Sequence, residues 1–244
     1  MNVKRFVLLS AMLIACVGQA AGGGSFTIVE GPGLHRPGER TDPCPNSTLN
    51  MNHDGSTESA FTWGAPGISE PDYGALAEGY PDLVGGTVCG IELYLTRWGS
   101  MNGVGAIDLF VWDYDVATDN PGGVLAVTVS TPVSGVGYWP SVTIHDFDAQ
   151  DAAVPSHGVF VGYWPRSFVE APEQFGCAMD VDGSGSITGV PRTNIPPSSG
   201  YPTGWHNLTV VGYDIASWGI GPWVAADVTP TRKSSWSAVK LLYD

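Results

Sequence analysis

Apolar and polar residues alternate with a period of two through much of this chain, and no stretch between Ser25 and Pro230 sustains a helical period. Ile91, Leu93 and Leu95 alternate with Glu92, Tyr94 and Thr96, and Ile107, Leu109 and Val111 alternate with Asp108, Phe110 and Trp112. Successive side chains of an extended chain point to opposite faces. Each run therefore sends one set inward and the other toward water or a second layer. Strand-type runs fall at residues 25–30, 59–63, 87–96, 105–112, 123–130, 141–147, 158–164, 174–181 and 222–228, separated by clusters of Gly, Pro, Asp and Asn. Asn120-Pro121-Gly122-Gly123 is a turn signal between two of them, so residues 106–130 read as a hairpin. The expected fold is all-β: an antiparallel β-sandwich, jelly-roll-like, with turns supplied by 33 Gly and 19 Pro.

The ends of the chain differ from its middle. Lys4 and Arg5 precede an almost unbroken apolar run from Phe6 to Val17, about a dozen residues and short of the roughly 20 that span a bilayer. Residues 1–20 therefore read as a signal peptide, with cleavage after Ala20 or Ala21, which places the protein outside the cytoplasm as a secreted or cell-surface chain. Leu13-Ile14-Ala15-Cys16 also resembles a lipobox, which would make Cys16 a lipidated anchor, with residues 22–25 as a tether. Residues 21–57 form an irregular lead-in, residues 58–230 the sandwich domain, and residues 231–244 a linker and short helix. In that helix Trp236, Val239 and Tyr243 share a face and Ser234 or Ser235 supplies a cap. The mature chain carries no transmembrane segment by this reading.

Charge narrows the partners. Twenty-four Asp and Glu against ten Lys and Arg give a formal net charge of −14. Binding nucleic acid requires a basic face, so a nucleic-acid partner is excluded, while cations, glycans and cell-surface proteins stay open. Cys44, Cys89 and Cys177 remain after processing. In an oxidising compartment one pair bridges, and Cys89, in a strand-type run, is expected to pair with either Cys44 or Cys177. None has the spacing of a CxxC metal or redox site.

Three residue sets carry candidate chemistry. Asp180, Asp182, Ser184 and Ser186 occupy positions of a calcium loop, with Gly185 at the turn and Ile187 after it. The bidentate carboxylate that would close such a loop is replaced by Pro191, so calcium needs a ligand from elsewhere; otherwise these carboxylates cap their own turn. Two acidic groups, Asp113, Asp115 and Asp119, and Asp146, Asp148 and Asp151, offer such a ligand or stand as solvated loop tips. The aromatic residues Trp164, Tyr201 and Trp205 lie near Pro and Gly and form a candidate platform for sugar rings, against the alternative that they fill a core. No Gly-x-Ser-x-Gly elbow is present, His53 and His145 lack companions at metal-ligand spacing, and no residue is assigned a catalytic role.

Several segments occur together in a recognisable order: Val88-Cys89-Gly90, Val111-Trp112-Asp113, Asn120 to Leu125, Phe160 to Trp164, Thr193-Asn194-Ile195, Gly200 to Trp205 and Gly219-Ile220-Gly221. In this the chain resembles a group of uncharacterised secreted β-sandwich proteins from environmental bacterial genomes, over residues 53–223. The resemblance implies export and the sandwich fold and brings no catalytic residues. The functional expectation is a non-enzymatic secreted or cell-surface sandwich with a structural or binding role. Its alternatives are a carbohydrate-binding module, calcium-stabilised or not, and a secreted hydrolase.

Overall fold

The computed structural model describes residues 15–19, 25–30, 44–53, 56–63, 74–98, 103, 105–166, 175–181 and 189–226. They form two antiparallel sheets packed face to face, as the alternation requires. The first sheet comprises β1 (Ala15–Gln19), β2 (Ser25–Glu30), β3 (Ser47–Leu49), β4 (Ser59–Trp63), β6 (Thr87–Thr96), β9 (Thr143–Ala153), β11 (Gly176–Asp180), β14 (Ser217–Trp218) and β15 (Ile220–Ala225). The second runs in the order β13 (Gly204–His206), β12 (Val190–Ile195), β5 (Leu76–Tyr80), β10 (Val159–Arg166), β7 (Gly105–Asp115) and β8 (Asn120–Val133).

β6 is the hub of the first sheet. One of its edges pairs with β9; the other pairs with β15 and then with β11. Gly219, between β14 and β15, makes the switch: its N–H donates to Ala178 O and its carbonyl accepts from Tyr94 N. Ile91, Leu93 and Leu95 face inward and meet Ile107, Leu109 and Val111 of β7 and Val159, Val161 and Tyr163 of β10. Each such side chain, fully withdrawn from water, contributes roughly 1.5–3 kcal/mol. On the opposite face of β6, Tyr94 packs with Trp139, Val142, Ala60 and Ala178, so this strand is buried on both sides.

A disulfide joins Cys44 to Cys89 and leaves Cys177 a buried free thiol, settling which partner Cys89 takes. The bridge pins the described part of the lead-in against β6. That part is not wholly irregular: Ser47–Leu49 pairs with β15, which satisfies backbone groups along that strand's outer edge.

The hairpin of β7 and β8 differs from expectation at its turn. The chain reverses at residues 116–119, and Asn120-Pro121-Gly122-Gly123 begins the return strand, Asn120 opposite Asp115 and Pro121 opposite Tyr114. The Asp115 carboxylate accepts from Ala117 N and Thr118 Oγ1, and Asp119 takes a left-handed conformation at φ 58°, so the tip closes on its own side-chain bonds. Pro121 fits because β8 is an edge strand with one side unpaired in the sheet. β5 and β12 carry no strand-type signature in the sequence: Ala77, Glu78 and Gly79 are poor strand formers, and Pro191 interrupts the other run. The loop residues Asp182 to Ile187 and the C-terminal helix expected at 235–243 lie outside the described residues, as does the chain before Ala15. No described helix is long and apolar enough to cross a membrane.

Candidate functional site: an aromatic trough on the six-stranded sheet

The second sheet is strongly curled. β13 and β7 are separated by three strands, so a flat sheet would hold them about 19 Å apart at about 4.8 Å per strand. Yet the rings of Trp205 on β13 and Trp112 on β7 lie 5.2 Å apart, and the two edge strands β13 and β8 approach each other. The face turned away from the main core is therefore concave.

The sequence makes this curl feasible. Ala77 and Gly79 on β5 and Gly162 on β10 form the floor, directly across from Gly162, Phe160 and Ala77 respectively. A Cβ on Gly79 would lie 2.7 Å from the Phe160 ring, so only glycine leaves room for that ring. Into the space the floor leaves, β7 sends Phe110, Trp112 and Tyr114, β10 sends Phe160 and Trp164, and β13 sends Trp205. Phe110 and Trp112 stack with centroids 4.9 Å apart and planes 5° apart, and Tyr114 stacks on Phe160 at 4.8 Å. Trp205 meets Trp112 at 77°, and Trp164 meets Phe110 at 6.0 Å and 54°. Trp112, Tyr114 and Phe160 are buried; Phe110, Trp164 and Trp205 are half-buried.

Polar groups interleave with the rings. Asp108 is the cross-strand partner of Trp164, and its Oδ1 accepts from Ser130 N at 2.7 Å. Asn194 is the cross-strand partner of Trp205. Arg192, 12% exposed, reaches from β12 to the tip of the β7–β8 hairpin. Its Nη2 lies 2.6 Å from Asp119 Oδ2, and its Nε donates to Asp119 O and Asn120 Oδ1. Tyr114 donates its hydroxyl proton to Asp119 Oδ1 from the other side. These bonds hold the hairpin tip as an arch over one end of the trough.

Two of the three residues expected to form an aromatic platform thus belong to one cluster. Trp164 and Trp205 join through Phe110 and Trp112. Tyr201 packs against the main core instead. Phe110 and Trp112 are the residues the sequence reading left out. Their signal is the outward half of the β7 alternation, aromatic where a solvated face would carry polar side chains.

The acidic residues do not converge. Asp113 contacts His157 at 2.7 Å, Asp115 caps the hairpin turn, and Asp119 pairs with Arg192. Asp146 accepts from the Trp223 indole. Asp180 is buried at the end of β11, while Asp182, Ser184 and Ser186 lie outside the described residues. Among the described residues no group of three His, Cys, Asp or Glu is arranged to hold a metal.

Beneath the trough, on the inward side of β5, sits Glu78, a carboxylate wholly buried between the sheets. Oε1 accepts from Asn52 Nδ2 at 3.1 Å and Val190 N at 2.7 Å, and Oε2 accepts from Trp218 N at 2.7 Å. Burial pushes its pKa up to about 8, against the lowering effect of those three donors and of Arg192. It ties β5 to β14 of the opposite sheet and to the lead-in, which gives it a structural part.

Comparison of the chain with protein-family models, curated proteins and solved structures gave no match in any of the three.

Proposed function

We propose that the protein acts outside the cytoplasm as a non-enzymatic binding sandwich and that its ligand is a neutral glycan held in the aromatic trough. The observation that carries this is the half-buried set Phe110, Trp164 and Trp205, set in a concave sheet face with Asp108 across from Trp164 and Asn194 across from Trp205. A pyranose ring has an apolar C–H face and a hydroxyl rim. Ring faces beside carboxylate and amide groups satisfy both, the first by stacking and the second by hydrogen bonds. The strong negative charge opposes anionic polymers, which favours a neutral ligand. The leader-like N-terminus and the Cys44–Cys89 disulfide are in keeping with an extracellular setting.

The test is a glycan array followed by calorimetric titration of the best ligand. Trp164→Ala and Trp205→Ala are expected to weaken binding by about tenfold each, the factor that corresponds to 1.4 kcal/mol. Tyr138→Ala, an exposed ring stacked on Arg97 away from this sheet, is expected to bind as the parent does. A flat array, together with no retention on insoluble polysaccharide, overturns the reading.

A further inference from the structure

The shape of the trough restricts its ligand further, an inference that rests on the glycan reading above. We propose that it takes a single glycan chain and not the face of a crystalline polysaccharide, and that the Arg192–Asp119 clasp enforces this by holding the hairpin arch in place. Binding to a crystalline face requires aromatic rings presented in one plane on a flat surface. Here the half-buried rings differ in orientation: Trp164 stands at 54° to Phe110, and Trp205 at 77° to Trp112, which is itself near-parallel to Phe110. The sheet is curled until its two edges approach, so a flat solid meets its rims before it meets Trp112, itself only 3% exposed. A free chain is narrow enough to lie along the concavity with its apolar face on Phe110, Trp164 and Trp205.

The arch has a specific fastening. Residues 116–119 form the hairpin turn, and Arg192 joins the turn and the start of β8 through three bonds, two to Asp119 and one to Asn120, while its Nη1 donates to its neighbour Pro191 O. A guanidinium meets carboxylate, carbonyl and amide oxygens at once in a fixed fork, which lysine cannot reproduce. Asp119 is held from both sides, by Arg192 and by Tyr114, and Tyr114 stacks on Phe160 at the trough floor. Position of the arch and packing of the trough are thus mechanically joined. Arg192 acts through the arch and is a positioning residue.

The experiment uses the processed protein with three soluble probes (cellohexaose, xylohexaose and mannohexaose) and with amorphous and crystalline cellulose in pull-down. The expected result is binding to one of the hexaoses, or to the amorphous polymer, without retention on the crystalline one. Arg192→Lys and Asp119→Asn are expected to lower affinity for the bound hexaose by about tenfold. Their thermal midpoints and Trp fluorescence are checked beside it, so that unfolding is told apart from a displaced arch. Equal retention on crystalline and amorphous cellulose overturns the single-chain inference and leaves glycan binding standing. Folded Arg192 and Asp119 variants that bind as the parent does overturn the role of the clasp. No binding to any probe, with a flat array, overturns both the inference and the function on which it rests.

Discussion

The buried carboxylate of Glu78 makes the stability of this protein depend on pH in a direction opposite to that of most acidic side chains. Its folded pKa stands at about 8 against an ordinary value of 4.5. The folded state therefore binds the proton more tightly than the unfolded state does. The contribution is fully present below pH 4.5, falls as pH rises through the window from 4.5 to 8, and is level above it. Within the window each pH unit removes about 1.4 kcal/mol, about 5 kcal/mol in all, a large share of the roughly 5–15 kcal/mol that keeps a domain folded. Glu78→Gln isolates this site from every other titrating group. Three N–H donors converge on the two carboxylate oxygens, and the amide supplies only one acceptor oxygen. The variant therefore strands at least one buried donor, at about 1–3 kcal/mol. It is expected to be less stable than the parent near pH 5, and the difference should shrink and then reverse by pH 9. Urea unfolding midpoints of both proteins, measured at intervals from pH 4.5 to 9, give the difference directly. A parental advantage that stays constant, or grows as pH rises, would refute the reasoning.

The Cys44–Cys89 bridge closes a loop with a sequence separation of 45. In the chain-entropy picture, opening that loop costs about 4 kcal/mol. The Cys44→Ser, Cys89→Ser double variant should lose that much stability in denaturant titration, and an unchanged midpoint would count against the bridge. Gly79→Ala places a methyl 2.7 Å from the Phe160 ring and 2.9 Å from Val190 Cβ, in a cluster already stacked against Tyr114. A loss of about 1–3 kcal/mol is expected from overpacking, read as a lowered thermal midpoint; no change would show that the trough floor yields freely.

Much of the fold is legible in the sequence because local alternation and turn chemistry act over a few residues. Ile91, Leu93 and Leu95, and Ile107, Leu109 and Val111, announce their inward faces by period alone, and the structure buries all six. β5 and β12 are illegible for the opposite reason. Leu76 to Tyr80 and Val190 to Ile195 become strands because neighbours on both sides complete their hydrogen-bond ladders, not through their own propensities. The hairpin turn is misread because Asn120-Pro121-Gly122-Gly123 has turn composition, whereas the Asp115 carboxylate and the left-handed Asp119 make residues 116–119 the tighter closure.

By itself the sequence determined the strand segments that alternate, such as β6 and β7, the net acidic charge, the leader-like start and the chance of a disulfide at Cys89, all of them properties of short windows or of composition. Only the tertiary structure decided which cysteine answers Cys89, that Glu78 is enclosed by three donors, and that Trp164 and Trp205 join through Phe110 and Trp112 while Tyr201 goes to the core. The last of these depends on how far the six-stranded sheet curls. Curl is a sum over small residues such as Ala77, Gly79 and Gly162 and over the Arg192 clasp, contributed by strands distant in sequence, and no single window of the chain contains it.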